Sequence, residues 1–383
     1  MGGEKTYSAA LIGCGRIGYS LGLDKKREQP ASHTMALLAN PRINLIAACD
    51  TNSQNLQFWH EAHKKITVYS DSANLYTRQK PKIITIAVNE NAHLKETLAA
   101  INQNPSLVIL EKPVALNMGE AKSIEFAANV NNVNILVNHE RRFSEDYILA
   151  KKYMSQIGEL QSINAALYSS LAVYNPNEEN SGAYSLIHDG THLVDSVLFF
   201  LEDENFSSLK EISVFDKEKF SSQKKGGLLK SAQSLKSLPK KTKYVNSILN
   251  NPQISGLFRD QNNVVRQVSA FYSTQKCPQV CITMSGRSKY FGFEITITGT
   301  QGRICIGNGY LKFYKRAESS LYTGFYSLCA DKFVKIPKKT QYFSNMIQNA
   351  VDFLDGKEKL KSTLQTGINA LAVLEEIKEL IKN

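Results

Sequence analysis

The chain has 383 residues, of which 42% are hydrophobic and 21% are charged. This is a globular composition, so it excludes collagen-like, coiled-coil and wholly disordered chains. No apolar run approaches the roughly 20 residues that a membrane span needs. The length predicts two domains, each long enough to bury its own core.

The formal net charge is +11, and segment 217–243 alone holds nine lysines and one acidic residue, Glu218. A protein that binds nucleic acid would spread basic and aromatic side chains over a folded surface, so we expect no nucleic-acid partner. The segment is rich in serine and glycine as well as lysine, which predicts a mobile, solvated insertion. The alternatives are electrostatic contact with a phosphorylated substrate or with an anionic membrane surface.

Six cysteines are scattered along the chain rather than clustered. This pattern favours reduced thiols and a cytoplasmic location. The first apolar stretch, at 9–12, is too short for the core of a secretory leader.

The first 140 residues alternate between short β-rich runs and helical patterns. Strands are predicted at 7–12, 43–50, 83–88, 106–110 and 133–138, and helices at 55–64, 92–102 and 119–128. Mostly apolar strands separated by helices are typical of a parallel sheet covered on both faces. The fold class is therefore α/β, with an N-terminal Rossmann domain at 1–140.

The pattern changes after about residue 142. Helices are predicted at 144–156, 191–200, 341–354 and 364–381, and strands at 160–174, 264–272, 280–285, 290–298, 303–306 and 309–316. Closely spaced strands joined by glycine turns favour antiparallel pairing. We expect a second α/β domain at 141–383, with a large and mostly antiparallel sheet and the lysine-rich insertion at 217–243.

A G-x-G-x-x-G pattern follows the first predicted strand directly. Its residues are Gly13, Cys14, Gly15, Arg16, Ile17 and Gly18. Placed between a strand and a helix, the pattern predicts a turn that binds a dinucleotide pyrophosphate. Gly13 permits the tight turn, Gly15 lets the pyrophosphate approach the backbone, and Gly18 lets the helix pack on the strand. Arg16 and Ile17 lie on the same turn.

Asp50 ends the second predicted strand, where a carboxylate accepts hydrogen bonds from the adenosine ribose. Because it would repel a 2′-phosphate, NAD is favoured over NADP. The distance from Gly18 to Asp50 is 32 positions, whereas about 20 is usual. The polar stretch 21–33 is interpreted as an inserted loop.

Three further motifs resemble those of the Gfo/Idh/MocA oxidoreductases, the family of glucose–fructose oxidoreductase and inositol dehydrogenase. They are Leu110-Glu111-Lys112-Pro113, Asn138-His139-Glu140-Arg141-Arg142-Phe143, and the stretch 182–195 with its Gly-x-His-x-x-Asp pattern. With the glycine turn, the resemblance extends over nearly the whole chain. It implies the two-domain fold with the active site between the domains, and an oligomer formed through the open face of the second sheet.

The resemblance also implies roles for individual residues. Lys112 would bind the reacting hydroxyl, and His192 would exchange its proton. The family commonly has an aspartate where this chain has His188, so either His188 or the next residue, Asp189, takes that place. His93 and Glu111 are assigned to the cofactor site, Glu111 as an anchoring group rather than a reacting one.

His188 and His192 are four positions apart, a spacing that would place them on one face if a helix included both, and zinc sites use this spacing. The pattern lacks the glutamate of H-E-x-x-H, so no metal is predicted. The resemblance implies an NAD-dependent oxidoreductase that transfers a hydride at a hydroxyl carbon of a sugar, polyol or nucleotide-linked sugar. The lysine-rich segment slightly favours a phosphorylated or nucleotide-linked substrate. The alternatives are a dinucleotide-binding regulator without turnover and a reductase of a non-carbohydrate ring.

Overall fold

The computed structural model describes residues 5–202, 246 and 248–382, so the lysine-rich segment 217–243 lies outside the described residues. The first sheet has six parallel strands: β1 (Tyr7–Ile12), β2 (Ile43–Cys49), β3 (Thr67–Tyr69), β4 (Ile83–Ile86), β5 (Leu107–Leu110) and β6 (Ile135–Val137). Their order is β3-β2-β1-β4-β5-β6. This is the order of a dinucleotide-binding fold, in which ligands bind at the carboxyl ends of the strands where the order reverses, between β1 and β4. The predicted Rossmann architecture is confirmed.

The strands at the centre of this sheet are apolar because both of their faces are covered. Every residue of β4 and of β5 is buried, as expected for a parallel sheet between two layers of helices. The helices in this part of the chain are α1 (His33–Ala39), α2 (Ser53–Ala62), α3 (Ser72–Arg78), α4 (His93–Ile101) and α5 (Met118–Asn131). Polar side chains cap four of them, where they accept hydrogen bonds from free backbone N–H groups. The caps are Ser32, Asn52, Asp71 and Asn117.

The predicted insertion interrupts the helix that follows the glycine turn. A first helical turn runs from Gly15, and the chain then leaves the helix through a short 3-10 helix, Ser20–Leu23. It returns where the N–H of His33 donates to the carbonyl of Ile17, at 3.1 Å. These residues are sixteen positions apart instead of the four of an α-helix. The insertion is thus a twelve-residue excursion from a helix that resumes as α1.

The second sheet is mostly antiparallel, as predicted. Its strands are β7 (Leu160–Tyr168), β8 (Gln253–Arg259), β9 (Val265–Tyr272), β10 (Gln279–Ser285), β11 (Gly292–Gly299), β12 (Gly302–Gly307), β13 (Tyr310–Glu318) and β14 (Tyr326–Ala330). Their order is β14-β13-β12-β11-β7-β10-β9-β8, and β7 and β10 form its parallel pair. The predicted strand 160–174 was too long. It ends at Tyr168 because the chain turns away there, and Val173 and Tyr174 bond to Val265 instead.

Five helices complete the described chain: α6 (Glu145–Tyr153), α7 (Ser185–His188), α8 (Gly190–Leu201), α9 (Tyr342–Leu354) and α10 (Leu364–Lys382). The last two return to the first sheet, where α9 packs on α1 and α10 packs on α5 and β6. Both sheets belong to one compact unit, and the domain boundary at residue 140 stays a prediction. Within the described residues, no helix is long and apolar enough to cross a membrane. All six cysteines are free.

Candidate active site

The glycine turn leaves an open space beside its middle glycine. A Cβ atom on Gly13, whose φ is +100°, would lie 2.4 Å from the carbonyl oxygen of Ala87, and one on Gly18 would lie 2.0 Å from that of Gly13. Neither position therefore tolerates a side chain. A Cβ atom on Gly15 would meet only the Asn55 amide, at 3.6 Å. The backbone at Gly15 is thus open to a ligand, in the geometry that suits a pyrophosphate. Arg16 is exposed at this turn and Ile17 is partly buried.

Asp50 lies directly beside the turn. Its Oδ2 accepts a hydrogen bond from the N–H of Cys14, and its Oδ1 accepts one from the N–H of Asn52, both at 2.8 Å. These bonds fix the carboxylate, and each oxygen keeps a lone pair that can accept a ribose hydroxyl. Glycine turn and carboxylate together fit NAD, and the negative charge disfavours a 2′-phosphate.

Lys112 follows β5 and extends toward the segment between α7 and α8. Its Nζ donates a hydrogen bond to the main-chain oxygen of His188, at 3.0 Å. Its own N–H lies 3.3 Å from Oε2 of Glu111. The structure therefore brings Lys112 to the Gly-x-His-x-x-Asp segment, from which it is far removed in the sequence.

Glu111 is buried and serves as an anchor for its surroundings. Its Oε1 accepts hydrogen bonds from Nε2 of His33 and from Nδ2 of Asn138, both at 2.6 Å. Burial by itself would raise the pKa of this carboxyl, but the bond and charge of His33, with Lys112 and Asn138, hold the pKa below its ordinary value. The carboxylate is ionised and saturated with partners.

His192 lies in the first turn of α8 with a partly buried ring. Burial lowers its pKa well below the ordinary value, and the positive charges of Arg141 and Lys112 lower it further. The imidazole is therefore neutral near pH 7, and a neutral imidazole can accept a proton. Arg141 is itself held against β11, with its guanidinium 3.8 Å from the centre of the Phe293 ring.

His188 forms a hydrogen bond with Glu90, a residue that was not predicted from the sequence. Its Nδ1 contacts Oε1 of Glu90, in the loop after β4. Burial raises the pKa of Glu90, but the hydrogen bond from His188, with its charge and that of Lys112, lowers the pKa to about 2. The Asp189 carboxylate lies 3.9 Å from Nε2 of His188. The carboxylate nearest to the His188 ring thus comes from the first sheet.

Helix α7 ends at His188 and α8 begins at Gly190, so His188 and His192 lie on two successive helices. Within the part of the chain that the structure describes, no group of three or more His, Cys, Asp or Glu side chains is arranged to hold a metal ion.

Asp195 takes part in a buried ion cluster and not in the space around Lys112. Its carboxylate binds the Arg142 guanidinium through bonds of 2.8 and 3.0 Å, and Nδ1 of His139 lies 3.0 Å away. All three side chains are at most 3% exposed. Burial would raise the pKa of Asp195, but the charges of Arg142 and His139 lower it. The cluster joins the segment after β6 to α8.

His93 is buried beneath the turn that carries Lys112. Its Nδ1 and Nε2 lie 2.6 and 3.1 Å from the carbonyl oxygens of Pro113 and Val88. Both ring nitrogens thus face the backbone, which suits a ring that supports the turn. Its predicted role in the cofactor site stays a prediction.

The arrangement places a lysine cation, a neutral imidazole and an ionised carboxylate around one segment, Tyr184 to His192. The lysine can stabilise negative charge on a substrate oxygen, and the imidazole can take up a proton. Like Glu90, Arg141 and His33 were not predicted as site residues from the sequence. The Asn138–Phe143 motif could have indicated Arg141, whereas nothing in the local pattern distinguishes Glu90 or His33.

The part of the chain that forms the first sheet matches a known protein family. Residues 7–139 match the sequence profile of a family described as an oxidoreductase family with an NAD-binding Rossmann fold. This confirms both the family resemblance and the predicted cofactor class. The match begins at β1 and ends with the motif that follows β6.

Two curated relatives are dehydrogenases. The chain is 22% identical to D-glucoside 3-dehydrogenase of Escherichia coli strain K12, over 57% of this chain and 60% of the relative. It is 28% identical to scyllo-inositol 2-dehydrogenase (NADP(+)) of Bacillus subtilis strain 168, over 30% of this chain and 34% of the relative. The match thus spans less than two thirds of either relative.

Solved structures extend the likeness in fold to the whole chain. One is the WlbA dehydrogenase of Bordetella pertussis, in complex with NADH and UDP-GlcNAcA. It superposes with a TM-score of 0.68 at 16% identity and covers 99% of this chain and 96% of its own. This confirms the fold of both sheets.

Proposed function

We propose that this chain oxidises or reduces a hydroxyl carbon of a sugar, polyol or nucleotide-linked sugar. Its residues 7–139 match an oxidoreductase family with an NAD-binding Rossmann fold. The observation that carries the proposal is the meeting of Lys112 with the segment of His188 and His192. A dinucleotide site alone would serve a regulator equally well. A cation beside a neutral base is what hydroxyl chemistry needs in addition.

Each residue has a defined part in this proposal. Lys112 binds the reacting oxygen and stabilises its developing negative charge. His192, whose pKa lies well below its ordinary value, accepts the hydroxyl proton in the oxidative direction. Glu90 and His188 keep the Lys112 contact in place. The glycine turn and Asp50 would hold NAD, which would supply the hydride acceptor when bound.

The substrate class is supported by the relatives, which act on a glucoside and an inositol by their names. The WlbA dehydrogenase, whose structure contains UDP-GlcNAcA, supports a nucleotide-linked sugar as one member of this substrate class. We further propose a homo-oligomer formed through the second sheet, where Asn164 and Glu294 are exposed on the face opposite to the core. The cytoplasmic location inferred from the cysteines stays a prediction.

The test is turnover of a substrate panel with NAD and with NADP, followed by nicotinamide absorbance. The panel holds free sugars, inositols, nucleotide-linked sugars and a dihydrodiol. Lys112→Met is compared with Lys95→Met, the same substitution at a lysine that is 82% exposed on α4. We expect turnover with NAD that falls at least about 100-fold in Lys112→Met, since a lost electrostatic contact costs about that much, and stays unchanged in Lys95→Met.

A titration with NADH separates binding from catalysis, because neither substitution should alter the cofactor affinity by more than about twofold. Turnover that is retained in Lys112→Met would contradict the proposed role of this lysine. If the protein binds the cofactor but turns over no member of the panel, the proposed oxidoreductase activity is contradicted and a regulator is favoured.

A further inference from the structure

A polar cavity lies outside the candidate active site, at the carboxyl ends of the parallel strands β7 and β10. It has a volume of about 410 Å³ and is lined by Ser170, Phe258, Arg266, Arg287, Ser288 and Lys289. We call it the basic cavity. Three of its six side chains are cationic, and two others carry hydroxyl groups.

The cations of the basic cavity are only partly neutralised. Arg266 donates through Nε to Oδ2 of Asp260, at 2.8 Å. Within the described part of the chain, neither Arg287 nor Lys289 forms an ion pair with a carboxylate. The side chains around the cavity therefore have a net charge of about +2, with the Arg266–Asp260 pair counted as neutral. An excess of this kind attracts an anion, most strongly at low salt.

The backbone around the cavity is held in place by three hydrogen bonds. The N–H of Ser169 donates to Ser285, that of Ser288 donates back to Ser169, and that of Gly286 donates to Arg266, at 2.9, 3.0 and 2.7 Å. A Cβ atom on Gly286 would lie 2.3 Å from the carbonyl oxygen of Leu171, so the two loops are in close contact. The cavity wall is therefore fixed before any ligand arrives, which lowers the entropic cost of binding.

One of the cations is oriented by an aromatic ring. The Arg287 guanidinium lies 4.3 Å from the centre of the Phe258 ring. This contact restrains a side chain that is otherwise exposed. A guanidinium, an ammonium and two hydroxyl groups around one space are the groups with which proteins bind phosphate.

We propose that the basic cavity binds the phosphate group of a small molecule. The phosphate belongs either to the substrate or to a separate phosphorylated compound, and both present the same chemistry to Arg287 and Lys289. The cavity is connected to the candidate active site through the chain, since the carbonyl of Ala172, two residues after Ser170, accepts the N–H of Ser185 at the start of α7. Binding of phosphate does not depend on the proposed function.

The test is calorimetric titration of the full chain with inorganic pyrophosphate at low salt, with and without saturating NADH. NADH fills the glycine turn, which would otherwise bind pyrophosphate as well. The double variant Arg287→Gln/Lys289→Gln is compared with Lys95→Gln/Lys332→Gln, which removes two exposed charges elsewhere. We expect the dissociation constant to rise at least about tenfold in the first variant and to stay within about twofold in the second. Ser170→Asp, which adds a negative charge to the cavity, should weaken binding as well.

Equal binding by the two double variants, or no saturable binding to the unaltered protein, would overturn the proposal. A second arm uses a substrate found by the panel above, in phosphorylated and unphosphorylated forms. This arm rests on the proposed function. A KM that rises in Arg287→Gln/Lys289→Gln only for the phosphorylated form assigns the phosphate to the substrate. Unchanged KM values with lost pyrophosphate binding assign it to a separate compound.

Discussion

Replacing Glu90 by glutamine removes the carboxylate that faces His188 while keeping the size of the side chain. Glu90 is 17% exposed on its side chain, so solvent screens the pair only in part. The pKa of this carboxyl falls from 4.5 to about 2 in the folded protein, through the hydrogen bond and charge of His188 and through Lys112, against the opposing effect of burial. At about 1.4 kcal/mol per unit, the ionised form contributes about 3 kcal/mol to the free energy of unfolding.

The sign of the pH dependence follows from the lowered pKa. The contribution of Glu90 is fully present above pH 4.5, where the carboxyl is ionised in both states, and it is lost as the pH falls toward 2. We expect Glu90→Gln to lower the free energy of unfolding by about 1 to 3 kcal/mol at pH 7. The difference from the unaltered protein should shrink at pH 3 to about 40% of its value at pH 7.

Urea unfolding, followed by the fluorescence of the buried Trp59, measures both quantities. Asp189→Asn is the matched control, because its carboxylate lies 3.9 Å from the other nitrogen of the same His188 ring. That variant should lose less than about 1 kcal/mol, as weak ion pairs near the surface do. A loss below about 0.5 kcal/mol in Glu90→Gln at pH 7, or an equal difference at both pH values, would refute the reasoning.

Three further outcomes are expected. Asp50→Ser should raise the affinity for NADPH relative to NADH at least about tenfold in fluorescence titrations, because a charge that repels the 2′-phosphate is lost; an unchanged ratio would contradict this. Asp195→Asn removes the carboxylate that neutralises the buried Arg142 guanidinium and should cost about 3 to 5 kcal/mol in urea unfolding; a loss below about 1 kcal/mol would be incompatible with a buried ion pair. His192 stays neutral in the folded protein because burial lowers its pKa, whereas the unfolded chain takes up a proton near pH 6.5. The free energy of unfolding should therefore fall by up to about 2 kcal/mol between pH 7 and pH 5, and a parallel fall in His192→Gln would disprove this cause.

Local patterns were sufficient for the parts of the fold that short segments determine. The glycine turn, the strand before it and Asp50 at the end of the next strand are each defined by a few neighbouring residues. The strands β3, β8 and β14 were missed for a physical reason. Three residues are too few to show a period in β3. No residue of β8 or β14 is buried, so neither strand has the alternation of buried and exposed residues by which a strand is detected.

The site itself was predictable only in part, because contacts between distant segments leave no mark on local sequence. Lys112 and His192 could be named from their motifs, but the partner of His188 could not. Glu90 lies 98 positions away from His188, on a loop whose place is determined by the order of the first sheet. Similarly, Asp195 is the last residue of the Gly-x-His-x-x-Asp pattern. Only its burial and its contact with Arg142 indicate that it joins α8 to the segment after β6.

The twelve-residue excursion after the glycine turn bears on how the lysine is held. It returns to the helix at His33, whose ring is fully buried and bonded to Glu111, the neighbour of Lys112. Glu28, within the excursion, ties it to the C-terminal part of the chain, since the Glu28 carboxylate accepts the N–H groups of Thr340 and Gln341, both at 2.7 Å. The carbonyl of Ile17, on the glycine turn, accepts the N–H of His33. The cofactor turn and the lysine turn are thus joined through one residue, His33, whose backbone contacts the first and whose ring contacts the second. Hydride transfer needs the distance between cofactor and lysine to be constant to within about half an ångström.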